Sequence, residues 1–257
     1  MEITFDNKVI LITGATSGIG EATAKVFSEA NAQVMLTGRN EKKLTALKGS
    51  LQTANFTIQF LTGDIMDEKF REKLINETIH EFGQLDILVN GAGIIAMGSA
   101  ETTTLDQYDQ MMDVNLRSIF HLTQLALPHL EKTHGNIINI SSVAGLRSFP
   151  GLLSYCISKA GLDQFTRCAA LDLAEKKIRV NAINPGVVVT NLHKRSGMSE
   201  EKYQQFLEHS KTTHPIGRVG NSEEVAKLIA YLASDAAGWI TGVTYSIDGG
   251  RAQTCFR

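Results

Sequence analysis

The feature that most constrains this chain is the regular alternation of short, β-branched apolar runs with longer amphipathic stretches. Runs that are apolar on both faces read as strands buried between two helical layers, and the intervening stretches as crossover helices, so the pattern is that of βαβ units. Strands are expected at 8–13 (KVILIT), 33–37 (QVMLT), 57–62 (TIQFLT), 86–90 (DILVN), 135–141 (GNIINIS), 178–184 (IRVNAIN) and 242–247 (GVTYSI). Helices are expected at 18–30, 40–53, 67–82, 104–132, 153–175 and 222–234. Right-handed crossovers then give a doubly wound, seven-stranded parallel sheet with helices on both faces, an α/β fold. In such a sheet ligands gather at the carboxyl ends of the strands, where Gly14, Asp64, Asn90, Ser142 and Pro185 all fall.

Composition fits one unit. The 257 residues are 43% hydrophobic and 20% charged, four prolines are scattered, and no Ser/Gly or charge-rich linker divides them, which predicts a single domain over 1–257. A net charge of −2 lacks the basic excess that a nucleic-acid partner requires. The N-terminal "MEITFDNKVILITG" starts acidic, and its apolar run is too short for a signal peptide or a membrane span, so a soluble cytoplasmic protein is expected. Cys156, Cys168 and Cys255 are odd in number and have no paired ligand spacing, and the seven histidines have none either. Neither a disulfide framework nor a metal site is indicated.

"LITGATSGIGEATAKVF" joins the first strand to the first helix through Gly14, Gly18 and Gly20. Glycines allow a sharp turn and close backbone approach, and the helix start behind them, with Thr16, Ser17 and Ile19, presents free N–H groups to a phosphate. The spacing is G-x-x-x-G-x-G, not the commoner G-x-G-x-x-G dinucleotide fingerprint. After the second strand, where an acidic residue would bind a ribose 2′-hydroxyl, the chain reads Gly38-Arg39. Arg39 can pair with a 2′-phosphate, so NADP(H) is expected over NAD(H), which remains possible; a surface arginine near Glu41 is the alternative. Asp64 and Ile65 follow the third strand and suit an adenine ring, with Asp67 better placed to cap the next helix.

"TGATSGIG" at 13–20, "NGAG" at 90–93, Asn115 in "MMDVNLRS", "NISS" at 139–142, "YCISK" at 155–159, "NPGVVVT" at 184–190 and "SIDGG" at 246–250 together resemble the classical short-chain dehydrogenases/reductases over essentially the whole chain. The resemblance implies a Rossmann fold with a dinucleotide-binding part over about 1–130 and a catalytic and substrate part over about 131–257. It implies a tetrad of Asn115, Ser142, Tyr155 and Lys159, with Tyr155 as general acid/base, Ser142 holding the substrate oxygen, and Lys159 tuning Tyr155 downward and binding the nicotinamide ribose. It also implies cofactor contacts from Asn90, Ala92, Gly93, Pro185, Gly186, Val188 and Thr190, and a carbonyl or alcohol as substrate. Gly91 departs from the family's usual second asparagine, which is expected to alter a contact within the sheet rather than chemistry.

Residues beside the tetrad and in a segment at 191–215 are expected to wall the substrate: Ile94, Val143, Arg147, Phe149, Leu152, Leu192 and Met198, with His193 as a possible contact. That segment interrupts the strand/helix alternation and reads as a lid. Most of these side chains are apolar, which favours a steroid, retinoid, isoprenoid or similar ketone or aldehyde; Arg147 keeps an acidic substrate such as a 3-oxoacyl thioester open. Apolar residues around the 104–132 helix exceed one stripe, and the resemblance implies a homodimer or homotetramer.

Overall fold

The computed structural model describes residues 3–52, 56–192 and 197–254. Its centre is a seven-stranded sheet of β1 (Val9–Thr13), β2 (Gln33–Gly38), β3 (Ile58–Thr62), β4 (Ile87–Asn90), β5 (Asn136–Ile140), β6 (Arg179–Pro185) and β7 (Thr244–Ile247). All neighbours are parallel, in the order β3-β2-β1-β4-β5-β6-β7. The order reverses between β1 and β4, which opens a crevice at their carboxyl ends. The strand cores are those expected, with ends moved by one or two residues.

The two-residue period of the strands sorts the core into two layers. Ile10, Ile12, Val34 and Leu36 face α1 (Gly18–Glu29), α2 (Glu41–Leu51) and α9 (Ser222–Ala233), packing on Phe27, Leu44 and Ile229. Leu11, Met35, Leu88 and Val180 face the other way, onto α3 (Glu68–Phe82), α5 (Ser118–Thr133) and α7 (Leu153–Asp172), through Leu74, Leu122 and Ala169. Leu88 is fully buried, and trimming such a side chain to alanine costs about 2–5 kcal/mol.

One expectation fails in an informative way. The helix expected over 104–132 is α4 (Leu105–Met112) and α5 separated by a π-helical turn at Asp113–Arg117. Thr104 and Gln107 form a reciprocal cap at its start. Within the π turn the ladder is wider, Ser118 Oγ donates to the Val114 carbonyl at 2.7 Å, and Asn115 is swung into the interior.

The segment at 191–215 holds α8 (Glu200–Thr213), capped by Ser199, whose Oγ accepts from the Lys202 N–H. Tyr203 ties it down, its hydroxyl donating to the Thr190 carbonyl at 2.8 Å. The chain's single tryptophan, Trp239, is fully exposed in the loop leading to the edge strand β7. Leu105, Phe120, Ile157 and Leu171 are further exposed apolar side chains, on α4, α5 and α7. Among the described residues no helix is long and apolar enough to cross a membrane.

Candidate active site

A single cleft runs along the carboxyl edge of the sheet from Arg39 and Asp64 to Phe149 and Phe206. Its nucleotide end is made by the turn after β1. Gly14 has φ +71°, and a Cβ there would lie 2.6 Å from the Gly91 carbonyl oxygen. A Cβ on Gly20 would lie 2.4 Å from the Gly14 oxygen, so the turn closes only without side chains at both positions. Thr13 Oγ1 accepts from the N–H groups of Gly91 and Ala92 at 3.0 and 3.1 Å, binding the turn to the segment after β4. With this backbone Gly91 has no room for the family's asparagine, since a Cβ would meet the Thr13 oxygen at 2.6 Å.

Ser17 precedes α1 but its side chain makes no capping bond, leaving the first N–H groups of the helix, at Gly18, Ile19 and Gly20, to a ligand. This cradle fits the pyrophosphate of a dinucleotide. Thr16 and Arg39 border it. Arg39 Nη1 lies 3.9 Å from Asp64 Oδ2, both side chains exposed. Asp64 Oδ1 accepts from the Met66 N–H, and Asp67 caps α3, so Asp64 Oδ2, facing Arg39, is the oxygen with no backbone partner beside Ile65.

At the other end Ser142, Tyr155 and Lys159 converge. Ser142 starts the short helix α6 (Val143–Leu146) and accepts from the Ala144 N–H at 3.1 Å, and its side chain lines the cleft together with the Tyr155 phenol, whose pKa it pulls downward. Tyr155 is buried, which pushes its phenol up to about 12 against the opposing pull of Ser142. Lys159 Nζ lies 5.9 Å from the Tyr155 ring centre and donates to the Ile140 carbonyl at 2.7 Å. Burial lowers Lys159 to about 8, with Asp163 opposing the shift. Burial thus favours the phenol, the form that can give a proton, over the phenolate. A phenol and a serine hydroxyl aimed into one cleft can give a proton and a hydrogen bond to the same oxygen.

Asn115 stands behind the cleft wall. Its Oδ1 accepts from the Ile94 N–H at 2.9 Å, and its Nδ2 donates to the Ile94 carbonyl at 3.0 Å and to Ser158 Oγ at 3.1 Å. The π turn thus fixes the loop after β4 to the Tyr155 helix. Gly93 keeps this junction open, since a Cβ there would reach Asn115 Oδ1 at 3.4 Å and Lys159 Nζ at 3.7 Å.

Ala92, Pro185, Gly186, Val188, Thr190, Ile94, Val143, Phe149, Leu152 and Leu192 also line the cleft. Asn115, behind the wall, does not, and neither do three further nominated residues. Asn90 points into the helical layer and donates to Asn139 Oδ1 at 2.8 Å, because the strand period turns it away from the edge. Arg147 turns its Nε to the Ala252 carbonyl at 2.6 Å, and Met198 lies outside the lining. His193 lies outside the described residues.

Three residues escaped the sequence reading. Asp163, buried one turn beyond Lys159, has Oδ2 accepting from Asn184 Nδ2 at 2.8 Å, and that amide also donates to the Ser142 carbonyl at 2.8 Å. Burial raises its carboxyl, with the hydrogen bonds from Ser141 and Asn184 and the charge of Lys159 opposing. The 155/159/163 spacing was the available signal. His214 accepts from the Val187 N–H at Nε2, 3.1 Å, and so holds the 185–190 segment; burial lowers its pKa and keeps that nitrogen an acceptor. Arg251 reaches the substrate end from the turn after "SIDGG", a position with no spacing signal.

A family model described as enoyl-(acyl carrier protein) reductase matches residues 14–252. A 3-oxoacyl-(acyl-carrier-protein) reductase of Thermotoga maritima is 34% identical over 95% of this chain and 98% of its own length. The meso-2,3-butanediol dehydrogenase of Serratia marcescens is 36% identical over 96% of this chain and 95% of its own. A crystal structure of a Caenorhabditis elegans short-chain dehydrogenase/reductase of unknown function, with cofactor, superposes with a TM-score of 0.91 at 34% identity, covering 98% of this chain and 97% of that one. Seven parallel strands, a glycine cradle and a converging serine, tyrosine and lysine thus agree with these likenesses along nearly the full length: the chain is an oxidoreductase of the short-chain dehydrogenase/reductase family, acting on CH–OH groups with NAD(P)(H).

Proposed function

We propose that this oxidoreductase prefers NADP(H) and interconverts a carbonyl with a secondary or primary alcohol, with Tyr155 as the general acid/base. The observation that carries this reading is the buried Tyr155 phenol, lining one cleft with Ser142 and one helical turn from Lys159. The bound nicotinamide supplies or accepts the hydride. Toward reduction, Ser142 holds the carbonyl oxygen while Tyr155 gives it a proton as charge develops there. Lys159, charged over most of the range below its pKa of about 8, stabilises the phenolate left behind. Toward oxidation the same groups run in reverse, with Tyr155 taking the proton.

Gly14, Gly18 and Gly20, with Thr16, Ser17 and Ile19, would hold the pyrophosphate; Asp64 and Ile65 the adenine; Pro185, Gly186, Val188 and Thr190 the carboxamide end. Preference for NADP(H) rests on Arg39 and on the lack of a carboxylate immediately after β2. Ile94, Val143, Phe149, Leu152 and Leu192 favour an apolar ketone or aldehyde. A second reading, a 3-oxoacyl thioester reductase, is favoured by the relatives so named. Exposed Leu105, Phe120, Ile157 and Leu171 support self-association to a dimer or tetramer, and we take the chain as one domain working in the cytoplasm.

Initial rates with NADPH and NADH across a panel of ketones, aldehydes and alcohols test the reading. A higher kcat/KM with NADPH is expected; a preference for NADH would overturn the Arg39 assignment. Cofactor binding without turnover of any compound would leave a nucleotide-binding sensor instead.

A further inference from the structure

We infer that Arg251 is the anion-recognising residue of the substrate pocket, and that the substrate carries a carboxylate: an oxo acid in the direction of reduction, a hydroxy acid in that of oxidation. This inference rests on the oxidoreductase reading above and narrows its substrate class.

Arg251 lines the same cleft as Tyr155 and Ser142 and sits among apolar walls, Phe149, Phe206, Leu152 and Leu192. Its guanidinium carbon lies 5.0 Å from the centre of the Phe149 ring, so one face is covered by an aromatic surface. Nη1 donates to Thr213 Oγ1 at 3.0 Å. No ion pair joins Arg251 to an acidic side chain among the described residues. The charge of the nearby Asp248 acts on Arg251, but its oxygens are held by backbone: Oδ1 accepts from the Gly250 N–H at 3.0 Å and Oδ2 from the Ala252 N–H at 2.6 Å. A half-buried cation against apolar walls, with donors left over, is matched by an anion entering the cleft.

The support beneath Arg251 is specific. Gly250 takes a left-handed conformation, φ +85°, that turns the chain back on itself, Asp248 caps the turn, and Arg147 clamps it from outside through the Ala252 carbonyl at 2.6 Å. The arginine that the sequence nominates for the substrate is therefore a strut for another arginine that faces it. Among the described lining residues the other cations are Arg39, at the far nucleotide end, and Lys159, held on the Ile140 carbonyl beside the reacting atoms. The planar fork of a guanidinium matches the two oxygens of a carboxylate.

The test compares short- to medium-chain oxo acids with their methyl esters, in the wild type, Arg251→Lys and Arg251→Met. The wild type should favour acid over ester by about 10-fold or more in kcat/KM, and Arg251→Met should lower the acid's value about 100-fold, through KM, while leaving the ester within about threefold. Arg251→Lys should recover part of the loss. Equal use of acid and ester by the wild type, or an equal fall for both in Arg251→Met, overturns the proposal. Dependence on Arg251 confined to acetoacetyl-CoA, whose anionic groups are phosphates, overturns the carboxylate assignment. Calorimetric binding of hexanoate against hexanamide, with NADP⁺ present, separates this idea from the oxidoreductase reading. Hexanoate binding lost in Arg251→Met supports the site even where no oxo acid is turned over, and indifference to the charge of the probe sinks it.

Discussion

At its nucleotide end the cleft is walled by backbone, and at its substrate end by side chains drawn from separate segments. Gly14, Gly20 and the open N–H groups of α1 lie within seven residues of one another, and their contacts are carbonyls and amides that no other residue type could supply in that space. Phe149, Leu192, Phe206 and Arg251 come from four separate segments, Phe206 on α8 and Arg251 on a 3-10 turn, and meet only in the folded chain. The first kind of wall leaves no room for a side chain and suits the phosphates that every dinucleotide has. The second is made of side chains, which can be altered residue by residue.

The sharpest break between the two ends is chemical. Tyr155→Phe removes the transferable proton but keeps the ring, and should lower kcat by about 10²–10⁴-fold with NADPH affinity nearly unchanged, as fluorescence titration would record. Gly14→Ala attacks the other end. A Cβ at φ +71° pressed on the Gly91 carbonyl should cost about 2 kcal/mol or more in the fold, read as a lower melting temperature, and weaken NADPH binding while leaving the substrate pocket's preferences among compounds as they were. Should both ends fail together in Gly14→Ala, beyond what the lost stability explains, the separation drawn here is wrong.

Arg39→Asp changes the nucleotide end without touching its backbone. On the NADP(H) reading proposed above, replacing this exposed cation by a carboxylate should shift the NADPH/NADH ratio of kcat/KM toward NADH by about 10-fold or more. The smallest effect is expected from Asp163→Asn. Tyr155, at about 12, stays protonated through mildly alkaline pH, so the reduction rate should first fall as Lys159 loses its charge above about pH 8. Asp163 raises the Lys159 pKa, and its neutral replacement should therefore move that fall to lower pH, with kcat at pH 7 changed by about threefold or less. A pH profile identical to the wild type would reduce Asp163 to a packing residue.

The same division explains what could be read in the residues alone. The strands and the glycine turn are local patterns, and each survives as a contiguous run: VILIT is buried at every position, and TGATSGIG is the cradle. The π turn was not legible, because "MMDVNLRS" carries the apolar spacing of an ordinary helix and the extra residue shows only in the hydrogen-bond ladder. Arg147 and Arg251 could not be told apart as substrate ligands, since which guanidinium enters the cleft depends on how the chain's last turn folds back over α6. Asp163 carried a signal in its spacing, but an acid on a helix reads as solvated until the opposing strands put Asn184 against it.

Trp239 gives this molecule an optical probe at one defined place. As the chain's only indole, fully exposed beside the edge strand β7, it sets the protein's tryptophan emission by itself. With the β7 edge free, that emission belongs to a solvated ring and is open to quenching by iodide. An assembly formed across β7 would shift it to the blue and shield it, whereas one formed through α4, α5 and α7 would leave the spectrum alone. The wavelength of a single fluorophore, followed on dilution, thus reports which faces of the subunit meet.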